Sequence, residues 1–258
     1  MSWFPQIGSG SIVQFPATRS RKWRALLNEL ESGEQILLPD RTAGQIEWLL
    51  RFQDLTDAER SSLSALFTTS QGSFGTFTFI DPLANLLGWS EDLTQPNWQP
   101  GLLRTNAGIS DPLGTKRASS ISNASAGAQA LQQTLGVPGD YVACFSAWIR
   151  SDATETVILQ RDNIQTRVTA GPAWRRESIS GKGVAAGTES TFSIALGAGQ
   201  TIDVWGLQVE AQPYPSAYKQ TSVPSGIFEE TYFENDELTV TSTSVGLSSC
   251  EIRLMSRV

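Results

Sequence analysis

The sequence predicts a mainly β protein, in which a discontinuous β-rich domain with one short α-helix is interrupted by a β-sandwich. Three observations predict it. A single stretch, LTDAERSSLSALFTTSQG, joins helical spacing to a capping signal. Between residues 85 and 221, Ser, Thr, Ala and Gly dominate, and short strand-like stretches recur at regular intervals between turn signals, the pattern of an all-β sandwich or barrel. Strand-like material at 1–84 and 222–258 flanks that block, and the last piece is too small to fold alone.

In chain order, WFPQI and SIVQF are apolar stretches separated by GSGS and closed by Pro16, so both are expected to be extended around a turn. EQILLPD reads as a brief strand stopped by Pro39. GQIEWLLRFQDL places Ile46, Trp48, Leu50 and Phe52 at alternate positions, a strand period that is favoured over the helical reading the stretch also allows. In the helix, Thr56 is the expected cap and Glu59 completes a capping box, with Leu63, Leu66 and Phe67 on the buried face. TFTFI resumes the strand period with Phe77 and Phe79, and DPLA closes the unit. In the middle block the strand candidates are QALQQTLG, YVACFSAWIRS, TVILQRD, QTRVTAG, RRESISG, TFSIALG and TIDVWGLQVE. YVACFSAWIR is largely apolar on both faces, as a central strand covered on each side requires. The C-terminal segment SGIFEETYFENDELTVTSTSVGLSSCEIRLMSRV reads as a two-strand ending that pairs with material already present. If the middle block is an insertion, it enters and leaves the host domain at neighbouring points, and TFTFIDP ends where the guest begins.

Composition narrows the function classes. With 40% hydrophobic and 17% charged residues the chain is globular rather than disordered. A net charge of −7 argues against gripping phosphate backbones, which needs a concentrated basic surface. The one local exception is Arg19, Arg21, Lys22 and Arg24 in RSRKWR, which reads first as a solvated face or protein contact. Nucleic acid is therefore not an expected partner. The absence of histidine removes Ser-His and Cys-His catalysis and the common His-ligated metal sites. Cys144 and Cys250 have no metal-ligand spacing and read as small buried hydrophobes. No apolar run approaches the ~20 residues of a membrane-spanning helix. MSWFPQIGSG lacks the blocks of a signal peptide, so synthesis and folding in the cytoplasm are expected. No cofactor is expected.

The middle block resembles the jelly-roll modules fused into bacteriophage tail and tail-fibre proteins and related to carbohydrate-binding modules. The resemblance rests on NLLGWSEDLTQPNW, CFSAWIRS, AWRRESIS and VWGLQVEAQPYPSAYKQT. The last is the most specific, a W-G-x-Q-x-E strand followed by a proline-containing turn and a tyrosine before threonine. The flanks are similar to the hub domains of phage distal tail or minor tail proteins, on the helix LTDAERSSLSALFTTSQG followed by SFGTFTFIDPLAN. Together these imply a virion protein of a tail tip or baseplate. Residues 1–84 and 222–258 would form a discontinuous hub domain that assembles as a ring with other copies and contacts neighbouring tail tube and hub proteins. Residues 85–221 would form a jelly-roll β-sandwich turned toward host surface polysaccharide. An alternative is that glycan recognition is the main role and the flank only its anchor.

Aromatic rings hold sugars by stacking on the apolar C–H face of a pyranose while polar neighbours take the hydroxyls. Trp148, Trp174, Trp205 and Tyr214 qualify by residue type, but each lies in or beside a strand, where core packing explains it more simply. Loop residues are the preferred candidates: Trp89, Trp98 and Tyr141 as exposed rings, with Asp111, Asn123, Gln129 and Arg161 donating or accepting hydrogen bonds from turns. Asp203 and Glu210 are the nearest approach to a carboxylate pair, but their odd separation puts them on opposite faces of a regular strand, so catalysis is not expected. Glu91 and Asp92 are a thin basis for a calcium cage, and whether the chain holds a metal is left open. NAS at Asn123 matches a glycosylation acceptor by chance, given the missing secretory signal.

Overall fold

The structure is a computed structural model that describes residues 2–184 and 186–257, without the side chains of residues 41–43. The chain divides into two compact units, unit 1 comprising residues 1–8, 12–80 and 228–258, and unit 2 comprising residues 9–11 and 81–227.

Unit 1 is built on one sheet. Its strands are β1 (Thr18–Glu29), β2 (Gln35–Thr56), β3 (Phe77–Ile80), β13 (Ile227–Phe233), β14 (Val240–Ser244) and β15 (Leu247–Arg257), in the order β1-β2-β15-β13-β3, with β14 also on β15. The strand period in GQIEWLLRFQDL is realised: Ile46, Trp48, Leu50 and Phe52 are all buried. Over them lies an aromatic core, in which Trp48 meets Phe79 and Phe228 edge-on at 4.9 Å and Phe4 meets Phe79 at 5.4 Å. Burying such rings is the main stabilising contribution here, with a further ~0.5–1.5 kcal/mol for each well-oriented pair. Residues 2–4 run beside β3, with Phe4 N–H donating to the Thr78 carbonyl at 2.9 Å.

The helix α1 (Asp57–Thr69) forms where its signals place it. The Thr56 hydroxyl accepts from the Glu59 N–H, and the Glu59 carboxylate accepts from the Thr56 N–H at 2.8 Å, so two of the orphan donors at the helix start are satisfied. Leu63 and Leu66 are buried, and Phe67 packs on Phe233 at 5.0 Å.

Two expectations for unit 1 are corrected. Pro39 does not stop a strand: β2 runs through it as the partner of Ala25, because β15 pairs with β2 only from Gln45 onward and leaves that side open to a residue without an N–H. The C-terminal segment holds three strands rather than two, since β14 and β13 pair with successive halves of β15.

Unit 2 has a five-stranded and a four-stranded sheet. The first runs β10-β7-β12-β5-β4, from β10 (Arg175–Lys182), β7 (Val142–Arg150), β12 (Thr201–Glu210), β5 (Ala118–Ser122) and β4 (Arg104–Ile109). The second runs β6-β11-β8-β9, from β6 (Gln129–Leu135), β11 (Ser190–Leu196), β8 (Glu155–Arg161) and β9 (Ile164–Ala170). Neighbouring strands in both sheets pair antiparallel. Phe145 of β7 faces Phe192 of β11 at 6.1 Å, among the buried Ile121, Leu131, Leu159 and Ile194, so the inner faces share one core. This is the β-sandwich of a jelly-roll. The seven strand candidates of the middle block form as β6 to β12, while β4 and β5 went unread.

NLLGWSE and the last residues of unit 2 are tied together, which explains why a beginning is found in mid-chain. The buried Asn85 amide donates to the carbonyls of Leu207 at 3.0 Å and Lys219 at 2.9 Å. The Thr221 hydroxyl donates to the Leu87 carbonyl at 2.6 Å. Entry and exit of the unit are thereby stapled side by side.

Candidate functional site

The outer face of the five-stranded sheet carries the site, and the chain itself covers part of that face. Along β7, Ala143, Phe145, Ala147 and Ile149 point into the core, so Cys144, Ser146, Trp148 and Arg150 point outward. Cys144 and Ser146 are nonetheless buried, because a strap of residues 212–221 lies over them. Arg176 donates to the Ser216 carbonyl at 2.5 Å, Gln208 to the Ala217 carbonyl at 3.3 Å, and Lys219 pairs with the buried Glu210 at 3.0 Å. Tyr218 stacks edge-on against Trp205 at 4.8 Å, and both donate to Glu91 at 3.1 Å. Burial raises the Tyr218 hydroxyl above its ordinary range.

Beyond the strap part of the sheet's outer face stays open. Strand register brings four side chains into line: Arg150 opposite Asp203, Asp203 opposite Ser120, and Ser120 opposite Asn106. Asp203 accepts from Arg150 at 2.9 Å, and the Arg150 guanidinium lies 4.9 Å from the ring centre of the half-buried Trp174. A cleft of ≈ 470 Å³ opens beside the row, lined by Ser120, Arg150, Asp152, Glu155, Thr201 and Asp203. An aromatic ring with charged and hydroxylated neighbours along a shallow cleft offers a stacking surface and directional hydrogen bonds together, the combination that recognises a polyhydroxylated ligand.

The strand β12 also corrects the expected facing of Asp203 and Glu210. A bulge between Trp205 and Gln208, with Gly206 at φ +64°, inserts a residue and shifts the alternation. A Cβ at Gly206 would meet Trp148 at 3.1 Å, so a side chain there would be strained in conformation and crowded as well. Both carboxylates therefore face outward, opposite Arg150 and Cys144. Their partners Arg150 and Cys144 are six residues apart along β7, about 20 Å, well beyond the ~5–10 Å that separates paired glycosidase carboxylates.

The seven loop candidates do not form a common surface. Trp98 is buried and its ring N–H donates to the carbonyl of the half-buried Trp89 at 3.0 Å; Tyr141 is buried too, its hydroxyl raised by burial. These two rings were expected to be exposed; they instead close the loops over the core. Asp111 is buried and accepts from the backbone of Leu113, Thr115 and Arg117 and from the Thr115 hydroxyl. Burial works against its charged form, but those hydrogen bonds outweigh it and lower its pKa below the usual carboxylate value. Asn123 donates to the carbonyls of Gly127, Leu196 and Gly197 at 2.8–3.0 Å, so its amide is committed inside the fold. Gln129 accepts from the Leu102 N–H at 3.2 Å.

Arg161, 1% exposed, donates to the carbonyls of Tyr141, Gly181 and Pro138 and to the Ser190 hydroxyl. Burial pushes its pKa down to about 10, which leaves it a cation at neutral pH. Tyr214 is 79% exposed, unlike the packed Trp205. Asp92 accepts from Thr94 and Gln95, and among the described residues no group of three acidic or sulfur side chains is placed to hold a metal. Cys144 and Cys250 are free and buried, with thiols pushed up to about 12 and about 11 by burial. Among the described residues no helix is long and apolar enough to cross a membrane.

Sequence reasoning named Trp174 by type but assigned it to packing. Its neighbours in the row come from four strands distant in sequence, and only the register reveals them.

No protein-family model and no curated protein matches the chain. Among solved structures it is similar to the enzymatically active domain of bacteriophage CBA120 tailspike protein 4, with 14% identity and a TM-score of 0.38 over 51% of this chain and 21% of that one. It is also similar to the CBM22-1 xylan-binding domain from Paenibacillus barcinonensis Xyn10C, with 10% identity and a TM-score of 0.41 over 50% of this chain and 96% of that one. A third is TmCBM61 in complex with β-1,4-galactotriose, with 12% identity and a TM-score of 0.35 over 49% of this chain and 97% of that one. The chain thus spans about a fifth of the tailspike structure and nearly all of the two carbohydrate-binding modules.

Proposed function

We propose that the protein is a structural component of a phage tail tip that displays a glycan-binding surface. Unit 2 holds a polysaccharide along the open row of its five-stranded sheet. Unit 1 is the mount, repeated as a ring of copies beside the neighbouring tail tube and hub proteins. The observation that carries the glycan role is the row of Trp174, Arg150, Asp203, Ser120 and Asn106 beside a 470 Å³ cleft, on the part of the face that the chain's own strap leaves uncovered. A pyranose stacks by Trp174 while Arg150 and Asp203 bind its hydroxyls.

Affinity electrophoresis of the full chain through gels containing a panel of neutral and acidic polysaccharides tests this. The wild type is retarded on at least one, and Trp174→Ala abolishes the retardation while leaving the fold intact by circular dichroism. Wild-type protein that runs unretarded on all of them, or a Trp174→Ala variant retarded equally, overturns the glycan role.

A second reading, glycan cleavage, is favoured by one observation: Asp152, Glu155 and Asp203 line the same cleft. Against it, Asp203 is ion-paired to Arg150 and Glu155 accepts from Gln200. New reducing ends released from a retarding polysaccharide, and lost in Asp203→Asn, would favour cleavage.

A further inference from the structure

The part of unit 1 with no assigned partner is the far end of the β1–β2 hairpin. Six consecutive pairs, from Arg24 with Asp40 to Glu29 with Gln35, have no third strand beside them and make an arm about 20 Å long. Every residue of β1 is exposed. Trp23, Leu26, Leu27, Leu30, Ile36, Leu37 and Leu38 are 40–67% exposed. They occupy both faces, since the pair Leu26 and Leu38 alternates with the pair Leu27 and Leu37. Together they show on the order of 500 Å² of apolar surface, more than half of the ~800 Å² each partner contributes to a standard interface. Divided between the two faces, apolar patches of a few hundred Å² are of the size that is often functional on a monomer.

Charge is sorted along the arm. The tip carries Glu29, Glu31 and Glu34, while the base carries Arg19, Arg21, Lys22 and Arg24 against Glu47 and Asp40. We infer that the occupant is a second copy of this chain, with the acidic, apolar tip of one arm seated on the basic base of the next.

Two features of the arm favour this occupant. A single foreign partner on one face would leave the other wet, whereas in a tip-on-base series each arm meets one neighbour at its tip and another at its base. Pro39 interrupts the donors along the open edge of β2, which favours face contacts over simple strand addition. A bilayer fits less well, because six paired positions fall short of the ~9–11 residues of a spanning strand and three glutamates would have to cross. The inference specifies the contact behind the assembly proposed for unit 1 and is independent of the glycan site.

The test is light scattering of full-length chains with reversed charge. Wild type should exceed the single-chain mass of 28.0 kDa. A tip variant (Glu29→Lys, Glu31→Lys, Glu34→Lys) and a base variant (Arg19→Glu, Arg21→Glu) should each run as monomers. An equimolar mixture of the two should reassemble, because each then offers the other the opposite charge, and refolding failure could not produce that rescue. A monomeric wild type at tens of micromolar, assemblies untouched by either reversal, no rescue on mixing, or wild type that sediments with phosphatidylcholine vesicles overturns it. Polysaccharide retardation of the same variants stays at the wild-type level, so this failure and failure of the glycan role are separable.

Discussion

The two units treat their side chains in opposite ways. Unit 2 buries polar groups such as Arg161, Asn123 and Asp111 and gives each of these three several partners, while unit 1 sends Leu27, Leu37 and Trp23 into solvent on a two-stranded arm. A buried polar group costs free energy unless its hydrogen bonds are made, so those of unit 2 hold one unique loop arrangement. An exposed apolar strand buries little of its own surface on folding, and on the inference drawn above the arm is half of an interface. Inside unit 2 polar groups hold structure; on that same inference, the apolar arm of unit 1 serves assembly.

That contrast is most easily broken at Arg161. Arg161→Met should cost unit 2 about 3–5 kcal/mol, because three carbonyls and a hydroxyl lose their donor inside the fold. Urea denaturation followed by intrinsic fluorescence measures it, and a loss below 1 kcal/mol would mean the network is dispensable. Asp111→Asn should cost about 1–3 kcal/mol at neutral pH. It should also flatten the acid limb of the stability curve. The folded pKa of Asp111 lies below its ordinary 3.8, so its contribution is complete above that value and is lost as pH falls through the lower, folded value. An unchanged acid slope in the variant would assign the acid sensitivity elsewhere.

In unit 1, Thr56→Ala removes the cap of α1 and should cost about 1 kcal/mol. The smallest effect on stability belongs to the arm: Leu27→Glu with Leu37→Glu should change the denaturation midpoint by less than ~0.5 kcal/mol, as surface substitutions do. The same double variant should nonetheless abolish assembly.

The same contrast explains what the sequence could disclose. Elements with at least one buried face were legible: the alternation of Ile46, Trp48, Leu50 and Phe52, the helix behind the Thr56 and Glu59 capping box, and the strands β6 to β12. The strand β1 lacks a buried face altogether, so no alternation marked it. β4 and β5 are short and rich in Ser, Asn and Gly, and Gly108 takes φ +87° at a register shift, so their pattern is broken too. Polarity alone does not mark a site, since Asp111, Asn123 and Arg161 use their hydrogen bonds to hold turns. The row that is open came from register, which no local pattern encodes, and the bulge at Gly206 reversed the facing of Glu210 within a single strand.

Hydrogen exchange of the full chain at low and high protein concentration tests most directly whether the exposed apolar arm is an interface. The amides of residues 19–38 should slow as concentration rises, while those of unit 2 stay unchanged. Exchange in the arm that is fast and independent of concentration would contradict it.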